Sequence, residues 1–222
     1  MGLNLLLDSA EPQSWKYWDD YGIFNGITTN PTLLKKANQS CDLKNIKRLL
    51  QKLEDLNYKE IHIQAWGNTT EKLIECGKEI GGLNNPKNIR IFVKLPITDI
   101  GTQAAKILIS KQIPVTLTAC YEINQIIIAA AIGANYIAPY LGRINDKSKD
   151  GEKKIESMQK ILDGSKSSCQ LLVASIRDPS EISNLASKNI TTFTIGEKVA
   201  KDLFLSKETI RDSKIFEKDS NI

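Results

Sequence analysis

The chain has 222 residues, 41% of them hydrophobic, which is enough to bury the core of one large domain. Its 30 Lys and Arg against 26 Asp and Glu leave a net charge of +4. That charge is small and dispersed, so it argues against DNA or a membrane surface as partner and leaves small anionic substrates open. No stretch is long and apolar enough to span a bilayer.

The opening MGLNLLLDSAEP is interrupted by Asp8 before it reaches the length of a signal-peptide core, so it reads as a first strand. In chain order the strand candidates are LNLLLD, IFNGITT, EIHIQAW, IRIFVKL, IPVTLTA, NYIAPYL, CQLLVAS and ITTFTI. Between them lie helix-like segments such as LKNIKRLLQKLEDL, TTEKLIECGKEI, IGTQAAKILISKQ and EINQIIIAAAIG, with apolar residues at helical spacing. GRINDKSKDG is polar and turn-rich and reads as a loop leading into a helix that starts near Glu152.

Strand followed by helix, repeated, means a parallel sheet. The repeats number about eight, and no glycine-rich nucleotide fingerprint follows the first strand, since the Gly81-Gly82 pair falls in a linker. These features favour a (β/α)₈ barrel over an open doubly wound sheet. With no Pro/Gly/Ser-rich divide, the expectation is one domain over 1–222.

The four cysteines, Cys41, Cys76, Cys120 and Cys169, stand singly, without zinc-site spacing, and read as reduced thiols. The one histidine, His62, lies in a strand-like run and reads as structural or surface-lying rather than catalytic. Neither pattern suggests a transition metal.

In a parallel barrel the reacting groups collect at the carboxyl ends of the strands. The polar residues there are Asp8, Thr28 with Asn30, Gln64, Lys94, Thr118, Tyr140 with Arg143, and Ser175 with Arg177. Lys94 interrupts IFVKLP, where Val93 and Leu95 would give it apolar surroundings and lower its pKa. Such an amine can attack a ketone to form an imine; a structural lysine paired with a carboxylate fits equally well. Asp8 suits a proton shuttle or a hydroxyl ligand, and equally a cap or turn. In GITTNPT, Thr28 and Asn30 could fix polyol hydroxyls, although Asn-Pro more commonly only ends a strand. Arg143, Ser175 and Arg177 follow late strands, a frequent phosphate position, and together favour a phosphorylated substrate, though each arginine alone would be a surface charge.

The blocks LLLDSA, GITTNPTLL, FVKLPIT with IGTQAAKIL, LTACY, GANYIAPYLGRIND and LLVASIR occur in the order and spacing of the short transaldolases, which include the fructose 6-phosphate aldolases. The chain resembles that family from the first strand to about Asp219. The resemblance implies a (β/α)₈ barrel, no cofactor or metal, and a cytoplasmic enzyme. Lys94 matches the Schiff-base lysine and Asp8 the proton-shuttling acid. Thr28, Asn30, Thr118 and Ser175 match donor-site positions, and Arg143 and Arg177 match the arginines that hold the sugar phosphate.

The implied substrates are fructose 6-phosphate or sedoheptulose 7-phosphate. Cleavage leaves a dihydroxyacetone enamine that is either released or, in the pentose phosphate pathway, passed to erythrose 4-phosphate or glyceraldehyde 3-phosphate. Gln64 and Tyr140 stand where typical transaldolases carry glutamate and phenylalanine, and with Thr116, Tyr121 and Ala138 they resemble the aldolases. A catalytically silent sugar-phosphate-binding barrel is the alternative of another class.

TIGEKV departs from the family's usual Thr-Leu-Pro after the last strand, so the backbone near Gly196 is expected to differ. A C-terminal helix is expected from about residue 207, and the resemblance implies pentamers or decamers built through it. DSNI stands in place of the usual Asp-Trp and longer tail, which bears on that assembly.

Overall fold

The computed structural model describes residues 2–84 and 89–220. Its strands are β1 (Asn4–Asp8), β2 (Gly26–Thr28), β3 (Glu60–Gln64), β4 (Arg90–Pro96), β5 (Val115–Cys120), β6 (Tyr136–Pro139), β7 (Gln170–Leu171) and β8 (Thr192–Ile195). All pair in parallel in the order β7-β6-β5-β4-β3-β2-β1-β8. A bridge between Val173 and Phe193 joins the two ends, where Val173 N–H donates to Thr192 O at 3.0 Å. The fold is a nearly closed, single-domain (β/α)₈ barrel.

The helices are α1 (Pro12–Asp19), α2 (Pro31–Lys36), α3 (Leu43–Gln51), α4 (Thr70–Gly81), α5 (Asp99–Ser110), α6 (Gln125–Ile132), α7 (Leu141–Ser148), α8 (Gly151–Gly164), α9 (Pro179–Ala186), α10 (Glu197–Asp202) and α11 (Lys207–Asp219). None of the described helices is long and apolar enough to cross a membrane. The expected loop at GRINDKSKDG is instead mostly α7. Leu141 and Ile144 are buried one turn apart, and the helix stops at Lys149 in the left-handed region. So short an apolar stripe, surrounded by polar residues, has the composition of a loop. Gly81 likewise closes α4 rather than lying in a linker. Asn-Pro does end a strand, and it also starts α2: Asn30 Oδ1 accepts from Leu33 N–H at 3.0 Å, with Pro31 at the first helical position.

Two cores follow from the alternation of strand side chains. Ile91, Val93, Leu95, Val115 and Leu117 face the helices in the larger one. Leu6, Phe92, Tyr136, Ala138, Leu172 and Ala174 fill the barrel interior. Lys94 shares the inward parity of Phe92, so its neighbours Val93 and Leu95 pack on the opposite side. Its burial comes from the barrel interior, which corrects the surroundings expected from IFVKLP.

His62 is buried inside the barrel and stacks on Phe92, with ring centroids 4.5 Å apart. Its Nδ1 is 2.8 Å from Thr116 Oγ1, and its Nε2 lies 4.0 Å from Glu60 Oε1. Burial holds the imidazole below its ordinary value near 6.5, with the charges of Lys94 and Arg90 acting in the same direction against Glu60. Between that ordinary value and the lower folded one, the unfolded chain binds a proton that the native state does not. Stability should therefore fall on acidification from pH 7 to 5, with a slope of at most about 1.4 kcal/mol per pH unit. Urea titrations across that range should show the slope, and His62→Phe should flatten it. An equal slope in the variant would assign it elsewhere.

Candidate active site

Because every strand runs the same way, the ends of β1 to β8 bring Asp8, Thr28, Gln64, Lys94, Thr118 and Tyr140 to one mouth. Lys94 is 5% exposed, and its Nζ donates to the carbonyl of Thr29 at 3.1 Å. Burial lowers the proton affinity of the amine and the Asp8 carboxylate only partly restores it. Gln64 lies beside Lys94 in the register of β3 and β4.

On one side of the mouth, Thr28 Oγ1 donates to Asp8 Oδ1 at 2.7 Å and stands 2.6 Å from Thr194 Oγ1. A hydroxyl has one proton. Since Thr28 gives its proton to Asp8, Thr194 donates to Thr28, and the three groups form a directed chain that ends on the carboxylate. On the other side, the Thr118 and Tyr140 hydroxyls are 3.0 Å apart. Burial pushes the Tyr140 phenol above its ordinary value, with the Thr118 hydrogen bond opposing, so the group keeps its proton.

At the rim, the Arg143 guanidinium sits 4.9 Å over the Tyr140 ring, and its Nη1 donates to Tyr121 Oη at 3.3 Å. Arg177 pairs with Asp146 through two hydrogen bonds. Ser175 has φ +60°, in the left-handed region, and its carbonyl accepts from Gly142 N–H at 3.0 Å. A cleft of about 760 Å³ lies elsewhere, between Glu11, Lys16, Gln39 and Lys52, and holds none of these groups.

The sequence model described as Transaldolase/Fructose-6-phosphate aldolase matches residues 5–221. The chain belongs to this family. It is therefore an enzyme of the transaldolase/aldolase type. It is 31% identical over 203 residues to a protein named probable transaldolase from Clostridium acetobutylicum, covering 90% of this chain and 89% of that one. A probable transaldolase from Aquifex aeolicus is 29% identical over 202 residues, covering 91% and 89%. Among solved structures, a flavocytochrome b2 variant with sulfite bound aligns with TM-score 0.58 at 13% identity, over 87% of this chain and 56% of that one. A mandelate oxidase variant aligns with TM-score 0.58 at 12% identity, over 86% and 64%. These two likenesses concern the fold alone.

With the family fixed, the positions singled out in the sequence divide into three sets, with Arg177 apart from them on Asp146. Asp8 with Thr28, and Thr118 with Tyr140 and Arg143, are in direct contact. Lys94 is linked to the first pair by the Asp8 charge and through the backbone of Thr29. Gln64, Asn30 and Ser175 stand at the same strand ends, Asn30 with its carbonyl oxygen committed to capping α2. The sequence reading missed Thr194, although alternation in TFTI places its hydroxyl at the inward end of β8. It also missed Asp146, which lies inside the segment read as loop.

A buried base with depressed proton affinity costs stability at neutral pH, and the cost is relieved as pH rises toward its ordinary value of 10.5. Lys94→Met, which keeps the bulk and removes the amine, should therefore leave the fold as stable or raise it by about 1 kcal/mol. Denaturant unfolding at pH 7 measures this. A loss above about 1 kcal/mol would mark Lys94 as a structural lysine.

Proposed function

We propose that the protein is a cytoplasmic class I aldolase of ketose phosphates, with the imine formed on Lys94 and fructose 6-phosphate or sedoheptulose 7-phosphate as substrate. The observation that carries this reading is the buried inward amine of Lys94, weakened as a base and held by a single backbone carbonyl. Its nitrogen adds to the C2 ketone, and water leaves as the imine forms. Asp8, fixed by Thr28, takes the C4 hydroxyl proton. The C3–C4 bond then breaks, its electron pair moves into the enamine, and an aldose phosphate departs. The protonated imine is the electron sink, and the step needs no metal. Arg143 and Arg177 supply charge-assisted donors for the phosphate. Thr28, Asn30, Thr118 and Ser175 hold the hydroxyls of the three-carbon unit, and Gln64 stands beside the amine.

The three-carbon enamine must then meet either a proton and water or an acceptor aldehyde. The Tyr140 hydroxyl, paired with Thr118, can hand on a proton or orient water, which supports release of dihydroxyacetone. The names of the relatives favour the second reading, transfer to erythrose 4-phosphate or glyceraldehyde 3-phosphate in the pentose phosphate pathway. A silent sugar-phosphate-binding barrel has no such support.

We also place the protein in a homo-oligomer, a pentamer or decamer. Helix α11 buries none of its residues, and Phe216 is 70% exposed, with Ile210 and Ile215 also on its surface. Exposed apolar side chains of this size on a helix that buries none of its residues, together with the exposed Leu203, Phe204 and Leu205 just before it, call for a partner surface.

Borohydride treatment with fructose 6-phosphate should add a reduced adduct to Lys94. An unmodified Lys94 peptide from folded protein would remove the mechanism. Turnover with and without erythrose 4-phosphate separates the two reactions, and Tyr140→Phe should lower dihydroxyacetone release relative to transfer. An unchanged ratio would withdraw the role given to the phenol. Light scattering should give a mass of five or ten chains and a smaller one for Phe216→Glu, whereas a monomeric wild type would refute the assembly.

A further inference from the structure

Placing the substrate phosphate at Arg143 and Arg177 leaves a carboxylate in the same cluster to be explained. Asp146 lies on α7 three residues after Arg143. Arg177 Nη1 donates to its Oδ1 and Nη2 to its Oδ2, each at 2.6 Å. The arginine reaches it by crossing Gly142, where a Cβ would stand 2.7 Å from Arg177 Nε and 3.1 Å from its Cδ. One helix thus supplies the bare backbone over which Arg177 lies, a second guanidinium beside it and the carboxylate that receives its tip.

The side chains of Arg177 and Asp146 are 55% and 53% exposed. An ion pair so exposed contributes little to folding. Its two-point geometry nevertheless fixes the direction of a long cation. Guanidinium has five N–H donors, and this contact uses two. Of the three that remain, the Nε–H and the outer Nη2 hydrogen form the side-on fork that suits two phosphate oxygens. Glu181, whose Oε2 accepts from the Arg177 backbone N–H at 2.8 Å, is a second carboxylate beside Arg177, and Lys147, over the Tyr121 ring, is a third cation in the cluster. The Asp146 carboxyl is held below its ordinary range, first by the Arg177 hydrogen bonds and then by the charges of Arg177 and Arg143, so it stays ionised at neutral pH.

We propose that Asp146 is a positioning residue for the phosphate anchor: it clamps the tip of Arg177 across Gly142 and holds the remaining donors beside Arg143 for the substrate's phosphate group. This rests on the ketose phosphate reading above. An anion at this place has two opposed effects, orienting Arg177 and repelling the phosphate, and they predict opposite signs when it is removed.

Steady-state kinetics of the intact protein with fructose 6-phosphate decide between them. Asp146→Asn, which keeps the shape and removes the charge, should raise KM about three- to fivefold with kcat within about twofold, the span an exposed ion pair corresponds to. Asp146→Ala should do the same, and Asp146→Glu should recover part of the loss. On an Arg177→Ala background the further change should be below about twofold, because the clamp then has nothing to hold. A KM that falls or stays unchanged in Asp146→Asn overturns the proposal while leaving the anchor intact. Should Arg177→Ala itself leave KM unchanged, the anchor is misplaced and the role of Asp146 falls with it.

Discussion

An ammonium group withdrawn from water must find a counter-charge or give up its proton, and the interior of this barrel sets that choice at Lys94. The hydrogen-bond partner that Lys94 has is a neutral carbonyl, from Thr29. The nearby carboxylate, Asp8, is engaged by the Thr28 hydroxyl. A tight ion pair would have kept the amine protonated and unreactive. The arrangement instead weakens its hold on the proton while a carboxylate stays close by, which is what the proposed mechanism asks of Lys94 and Asp8.

That balance depends on backbone geometry more than on any one side chain. Side chains alternate across each parallel strand, so a two-residue step separates the packed interior at Phe92 from the amine of Lys94. The same step separates Thr116, which meets His62, from Thr118, which meets Tyr140. Below the reactive layer the interior is closed by stacked rings and aliphatic groups. The desolvation that lowers the proton affinity of Lys94 is therefore a property of the whole barrel.

Much of this was legible in the sequence because a strand pattern needs only local information. The eight apolar runs mark the strands, and polar residues near the ends of seven of them mark the mouth. Strand lengths were less legible. IFNGITT pairs only over Gly26–Thr28, and CQLLVAS only over Gln170–Leu171 before single bridges take over. Ser175, just beyond, turns into the left-handed region, which no residue type there announces. Helix α7 was misread because two buried side chains in eight residues make too faint a stripe. Thr194 was passed over because a threonine in a strand is ordinary β chemistry until a partner hydroxyl from β2 is set beside it. Pairings of that kind join residues far apart in sequence and belong to the closed barrel alone.

Tyr140 joins the two regions of the mouth, and its two ends have different duties. Its hydroxyl contacts Thr118 in the buried layer, while its ring carries the Arg143 guanidinium at the exposed rim. Tyr121 braces the same arginine from the other side, its ring 5.7 Å from that of Tyr140. Movement of Arg143 would therefore be felt by the Tyr140 ring, and through it by the hydroxyl paired with Thr118. A phenylalanine would keep the face that carries the cation and lose the polar end. In the proposed mechanism the ring thus serves anchoring in either branch, and only the hydroxyl bears on whether the three-carbon unit meets water or an aldehyde.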